Sequence, residues 1–203
     1  MICVIDYELG NVLSVKNAIE KIGLKCKISR KEKDISSSSA IILPGVGSFE
    51  KGIENLKKYN LIEILNHNVI FKKKKILGIC LGFQLMCKFS EEFGKHKGLS
   101  WIDAEVTKIN SQELRLPHVG WNKIRIIQKN ELLKDISKNE RLYFNHSYCV
   151  KTNSKNEFAI VAECDYGEKF IAAYQEKNIY GIQPHPEKSQ NAGLKILKNF
   201  FNI

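Results

Sequence analysis

The chain has 203 residues, 43% apolar and 27% charged, with a net charge of +10. That length holds one domain with a substantial core, and the composition excludes general disorder, collagen and a coiled coil. No run approaches the roughly 20 apolar residues that cross a bilayer, and the start has no basic or apolar stretch of signal type, so a cytoplasmic protein with no membrane contact is expected.

Residues 2–7 form an apolar run of strand length. Val12, Val15, Ala18, Ile19 and Ile22 follow at helical spacing. Leu24, Cys26 and Ile28 alternate with Lys, as a half-buried strand does. Residues 36–39 read as a polar loop before a buried strand at 40–43, which Pro44 and Gly45 close. Ile53, Leu56, Leu61, Ile64 and Leu65 predict helix, and a buried strand at 76–79 runs into a predicted helix over 81–89. Strand and helix in alternation predict a parallel sheet covered on both faces. Beyond about residue 98 the rhythm changes. Residues 105–109, 121–127, 142–144, 148–150, 158–162, 170–174 and 180–183 read as strands with few helices between them, so this half is expected to be meander-like and partly antiparallel. A final helix covers about 191–201. No repeat or linker divides the chain, which predicts a single α/β domain over 1–203.

Nearly all the positive charge is Lys, with Arg only at Arg30, Arg115, Arg125 and Arg141. Arg is the usual reader of bases and phosphates, so no nucleic-acid partner is expected. The six cysteines lack a C-x-x-C pair, and no His, Cys and Asp cluster has metal-ligand spacing, so neither a metal nor a cofactor is expected. Cys3, Cys26 and Cys164 sit in strand-like runs, where a free thiol packs as a small hydrophobe.

Cys80 differs. Gly78-Ile79-Cys80-Leu81-Gly82 lies between a buried strand and a helix, in the arrangement of a nucleophile elbow with Cys in place of Ser. The glycines permit a sharp turn that lifts the thiol above the sheet at a helix N-terminus, where a thiolate is favoured. The Leu81 N–H would face an oxyanion. The plainer alternative is a tight turn with a buried Cys.

A thiol nucleophile needs a base and a group that orients it. In Gln183-Pro184-His185-Pro186-Glu187 the prolines hold the backbone extended, which puts Glu187 on the same side as His185. Glu187 would accept from Nδ1 and leave Nε2 to the thiol, a triad of Cys80, His185 and Glu187. The plainer alternative here is a rigid surface turn. His146 and His118 compete as bases but have no carboxylate two residues on, so they read as structural or substrate-facing rather than catalytic, and His67 and His96 read as solvated. In Leu43-Pro44-Gly45-Val46-Gly47-Ser48 a main-chain N–H from Val46 or Gly47 would complete an oxyanion hole with Leu81 at the same end of the sheet. The other reading of that loop is a plain turn.

These segments together resemble a class I (triad) glutamine amidotransferase, and the resemblance spans the chain. D-Y-x-x-G-N from Asp6, P-H-V-G-W-N from Pro117 and Q-P-H-P-E-K-S-Q from Gln183 are similar to the glutaminase subunits of imidazole glycerol phosphate synthases. The resemblance implies a flavodoxin-like fold, with a mixed, mostly parallel sheet, helices on both faces and an antiparallel C-terminal half. It implies glutamine as substrate, a glutamyl thioester on Cys80, and release of ammonia to a (β/α)8-barrel cyclase subunit in histidine biosynthesis. It assigns glutamine binding to Gly45, Gln84, Glu92, Ser147 and Tyr148, and the partner face to Asn11, Trp121, Tyr143 and Lys188. Pro184, Asn145 and Cys149 depart from the expected pattern without removing a catalytic group. Paralogous glutaminases that feed other synthetases, such as sugar-amidinating enzymes, are the alternative. From another class, flavodoxin-like cysteine peptidases and thiol chaperones also carry an elbow Cys.

Overall fold

The computed structural model describes residues 1–152 and 159–203. The first half lays down β1 (Ile2–Ile5), α1 (Val12–Lys21), β2 (Cys26–Ser29), α2 (Glu32–Ser37), β3 (Ala40–Leu43), α3 (Phe49–Lys58), α4 (Leu61–Asn66), β4 (Lys75–Ile79) and α5 (Leu81–Leu85). Then come β5 (Cys87–Ser90), β6 (His96–Lys97), β7 (Ile102–Lys108), β8 (His118–Lys123), β9 (Arg125–Ile126), β10 (Arg141–His146) and β11 (Tyr148–Lys151). The chain closes with β12 (Ile160–Asp165), β13 (Lys169–Glu176), β14 (Ile179–Ile182) and α6 (Gln190–Asn202).

Eight strands form the central sheet in the order β2-β1-β3-β4-β14-β13-β12-β9. The pairings from β2 through β14 are parallel, and β13, β12 and β9 continue the sheet antiparallel. All four residues of β1 are buried, and they alternate between two cores. Ile2 and Val4 pack with α1 and α6, while Cys3 and Ile5 pack with α3, α4 and α5. This period of two, apolar on both faces, is what helices above and below a parallel strand require. The predicted mixed α/β fold is therefore present.

Gly78 of β4 and Gly181 of β14 sit in register. A Cβ at Gly181 would lie 2.0 Å from the Phe83 ring, and one at Gly78 would lie 2.7 Å from the Phe83 backbone. The missing side chains let α5 settle onto the sheet directly after Cys80.

Several expectations need correction. Residues 36–37 belong to α2 rather than to a loop. The helix predicted over 81–89 stops at Leu85, because β5 pairs with β6 and β7 and the loop before β7 ties back to it. Leu99 donates to the Leu85 carbonyl and Trp101 to that of Met86, so tertiary pairing overrides the apolar spacing. The strand predicted over 121–127 is two strands, β8 and β9. The C-terminal half is also not one meander: β10 and β8 form a separate ribbon, and β11-β7-β5-β6 a third sheet. The start of the strand expected from Phe158 lies outside the described residues.

Candidate active site

The loops after β1, β3, β4 and β14 all open at the carboxyl edge of the central sheet, where open α/β sheets bind ligands. Because β14 is the immediate neighbour of β4, the segment after it arrives beside Cys80. Cys80 has φ 52° and ψ −110°, a strained conformation for a residue with a Cβ. It holds this turn because its N–H donates to the Ile182 carbonyl at 2.8 Å and its carbonyl accepts from Gln84 N–H at 3.1 Å. Leu81 is the first residue of α5, so its N–H has no acceptor within the helix. All six cysteines are free.

His185 and Glu187 lie behind the sulfur, both side chains almost completely buried. The Nδ1–H donates to Glu187 Oε1 at 2.8 Å. The geometry behind this pair differs from the sequence reading. The backbone is extended only at His185: Pro186–Lys188 is a single 3-10 turn, and that turn brings the carboxylate back to the ring. The His185 N–H donates to the Tyr143 carbonyl at 2.8 Å, which fixes the ring against β10. Burial pushes the imidazole toward its neutral form, but Cys80 and Glu187 outweigh it and hold the pKa well above the usual value.

A pocket of about 210 Å³ opens over Cys80. It is lined by Val46, Gly47, Leu81, Gln84, Glu92, Ser147 and Tyr148, all expected site residues. Pro117 and Asn145 also line it, a place the sequence reading did not give them, and so does His146, read from the sequence as structural or substrate-facing rather than catalytic. Gly45 does not reach the pocket. It packs beneath it, where a Cβ would lie 2.4 Å from the Tyr7 hydroxyl. Glu92 faces the pocket and is anchored by the Phe49 N–H at 2.6 Å, and burial raises its pKa. Its neighbour Glu91 instead accepts from the Lys108 N–H, which settles the register of that loop. A larger open groove of about 1100 Å³ along β9 and β12 contains no expected site residue, and burial pushes its one thiol, Cys164, up to about 12.

The competing bases are occupied. His146 Nδ1 faces the Tyr148 carbonyl at 2.8 Å, so it carries the proton. Its Nε2 then accepts from His118 Nδ1 at 3.3 Å. His118 stacks on Tyr166 and Phe144. Burial holds His118 down to about 4 and His146 to about 3. His67 is exposed as expected. His96 is not: it is half-buried, with Nδ1 3.7 Å from Glu50.

The buried histidine pair has a stability consequence. The unfolded chain takes up protons on these rings below about pH 6.5, and the folded chain refuses them until about pH 4 to 3. Stability is therefore expected to fall as pH drops through that window. Urea midpoints between pH 7 and 4.5 should show this acid limb, and His118→Gln should flatten it. A variant curve parallel to the parent would remove the pair as its cause.

Trp121, Tyr143 and Lys188 form one surface cluster. The Trp121 ring stands edge-on to Tyr143 at 5.8 Å, and Lys188 Nζ lies 5.5 Å over the same ring. Trp121 is 38% exposed, so it is not a core residue. Asn11 stands just before α1, which packs on the 186–188 turn. Among the described residues no helix is long and apolar enough to cross a membrane.

The family profile described as glutamine amidotransferase class-I matches residues 3–203. The chain belongs to this family. It is an amidotransferase, not a peptidase or thiol chaperone. The protein named imidazole glycerol phosphate synthase subunit HisH 1 in Campylobacter jejuni (strain 81-176) is 45% identical, with all of both chains covered. Subunit HisH 2 of Methanococcus maripaludis is 45% identical over 98% of each chain. Subunit HisH 2 of Pseudomonas aeruginosa is 39% identical, again with both chains fully covered. Among solved structures, PurLQS from Thermotoga maritima has a TM-score of 0.74 at 19% identity, covering 99% of this amidotransferase and 97% of that chain. A structure titled glutamine amidotransferase has a TM-score of 0.73 at 15% identity, covering 99% and 100%. These two speak for the fold alone.

Proposed function

We propose that this amidotransferase, as one domain over 1–203, is the glutaminase subunit of an imidazole glycerol phosphate synthase. The observation that carries the chemistry is Cys80 at the floor of a polar pocket, with a buried His185–Glu187 pair behind it. Glutamine enters with its side-chain amide over Cys80. Its charged end meets Gln84, Glu92, Ser147 and Tyr148. The thiolate attacks the amide carbon, and His185 protonates the departing ammonia. Leu81 N–H, with Val46 or Gly47, stabilises the tetrahedral oxyanion. Water, deprotonated by His185, then releases glutamate from the thioester.

Ammonia in neutral water is mostly ammonium and not nucleophilic, so the product has to pass through a shielded path to its acceptor. The Trp121, Tyr143 and Lys188 cluster, with Asn11, is our candidate surface for a (β/α)8-barrel cyclase subunit. The full-length likeness to three subunits of this name supports that partner and a role in histidine biosynthesis.

Glutamate release from the isolated chain is expected to be slow. It should rise about 5- to 150-fold when the cyclase and its phosphoribosyl ligand are added, the usual range of coupling between sites. A rate that ignores the pair keeps the glutaminase but sinks this acceptor. The second reading, a paralogue serving another synthetase, is favoured by the numbered names of these relatives, HisH 1 and HisH 2.

A further inference from the structure

Gln183 follows β14 directly and is fully buried. It does not line the pocket, so it lies behind Cys80 rather than over the substrate space. Its orientation follows from a chain of hydrogen bonds that starts at a group with one possible role. The Tyr148 main-chain carbonyl only accepts, so the Gln84 carboxamide nitrogen faces it, at 2.8 Å. The second N–H of that nitrogen donates to Gln183 Oε1 at 3.1 Å. With its oxygen committed, Gln183 turns its own nitrogen to Cys80 Sγ at 3.5 Å. A carboxamide nitrogen has only donors, so the sulfur receives a hydrogen bond.

We infer that Gln183 is a further catalytic residue of this site, whose N–H stabilises the Cys80 thiolate before attack and again when it departs from the thioester. The inference rests on Cys80 being the nucleophile. Two neighbours pull the sulfur in opposite directions. The Asn145 carbonyl, 3.9 Å away, accepts from the thiol and repels the thiolate. Gln183 favours the thiolate. A buried anion needs donors to replace lost water, and the carboxamide adds one to the His185 imidazolium. In thioester hydrolysis water bonds to the acyl carbon and its proton passes to His185. The C–S bond then breaks, and its electron pair leaves on Sγ, opposite the Gln183 N–H.

The other titratable groups around the sulfur are known. His185 is backed by Glu187. Tyr7 is a buried phenol that burial keeps protonated. His146 is neutral, and Glu92 lies across the pocket.

The test is the pH dependence of iodoacetamide alkylation, read by mass spectrometry on the Cys80 peptide of the full chain. Gln183→Met keeps the length and removes the donor. Its apparent thiol pKa should rise by about one to two units, the loss of one hydrogen bond to a charged group, and kcat should fall with little change in KM. Gln183→Glu should be rescued by acid, because a protonated carboxyl donates to sulfur and an ionised one repels it. Gln84→Met, which frees Gln183 to rotate, should shift the alkylation profile the same way. Profiles that overlay the parent, with no acid rescue, would overturn the inference and leave Gln183 as packing. Failure of the underlying reading looks different: parent enzyme fully alkylated at Cys80 would still release glutamate.

Discussion

Replacing Cys80 with Ala is expected to lower glutamate release by at least about four orders of magnitude, while the circular dichroism spectrum stays that of the parent. The reason is that no neighbouring group can stand in. The described thiols apart from Cys80 lie outside the pocket, and burial keeps the two histidines nearest in role neutral. Cys80→Gly should be as inactive but more stable than Cys80→Ala, by about 1 kcal/mol or more. Glycine tolerates φ 52°, whereas Ala keeps the strain that any Cβ carries there. Residual release near the parent rate in either variant would mean that Cys80 is not the nucleophile. Equal denaturation midpoints for the two would mean that the turn stores no strain.

The second large effect is structural. Gly82 sits where α5 leaves the elbow, and a Cβ on it would lie 1.7 Å from the Leu43 carbonyl oxygen. That oxygen belongs to a strand paired on both sides, β1 and β4, so it has nowhere to move. Gly82→Ala is therefore expected to destabilise the fold by about 3 kcal/mol or more, and to push α5 off the sheet with the Leu81 amide. Stability comes from denaturant titration, and glutamate release shows whether the folded remainder still works. A variant with parent stability and rate would mean that the elbow is looser than its packing implies.

The family's motifs were unusually readable because the reaction constrains short local segments. Gly78 through Gly82, Pro44 through Ser48 and Gln183 through Glu187 each carry a turn whose residue types are chemically required. Gln183 stood in plain view two residues before His185. It attracts no attention as a sequence feature, since a buried Gln becomes a donor to sulfur only when Gln84 and Tyr148 fix its orientation. The pairing of His118 with His146 was equally hidden. Nothing in either segment says that β8 and β10 pair with His146 opposite His118.

What the sequence determined by itself was the alternation of strands and helices in the first half, the elbow, the glycine loop beside it, and the closeness of Glu187 to His185, though not the turn that produces it. Local chemistry suffices for these: apolar periodicity, backbone freedom at glycine and the restrictions of proline act over a few residues. Tertiary structure decided the rest. It cut α5 to five residues by pairing β5 with β6 and β7, and it turned the Pro186 segment into a 3-10 turn. It also moved Gly45 from the pocket to its underside, and aimed the Gln183 donor at sulfur. Each of these depends on contacts between residues distant in the chain, whose hydrogen-bonding groups had to be satisfied once buried.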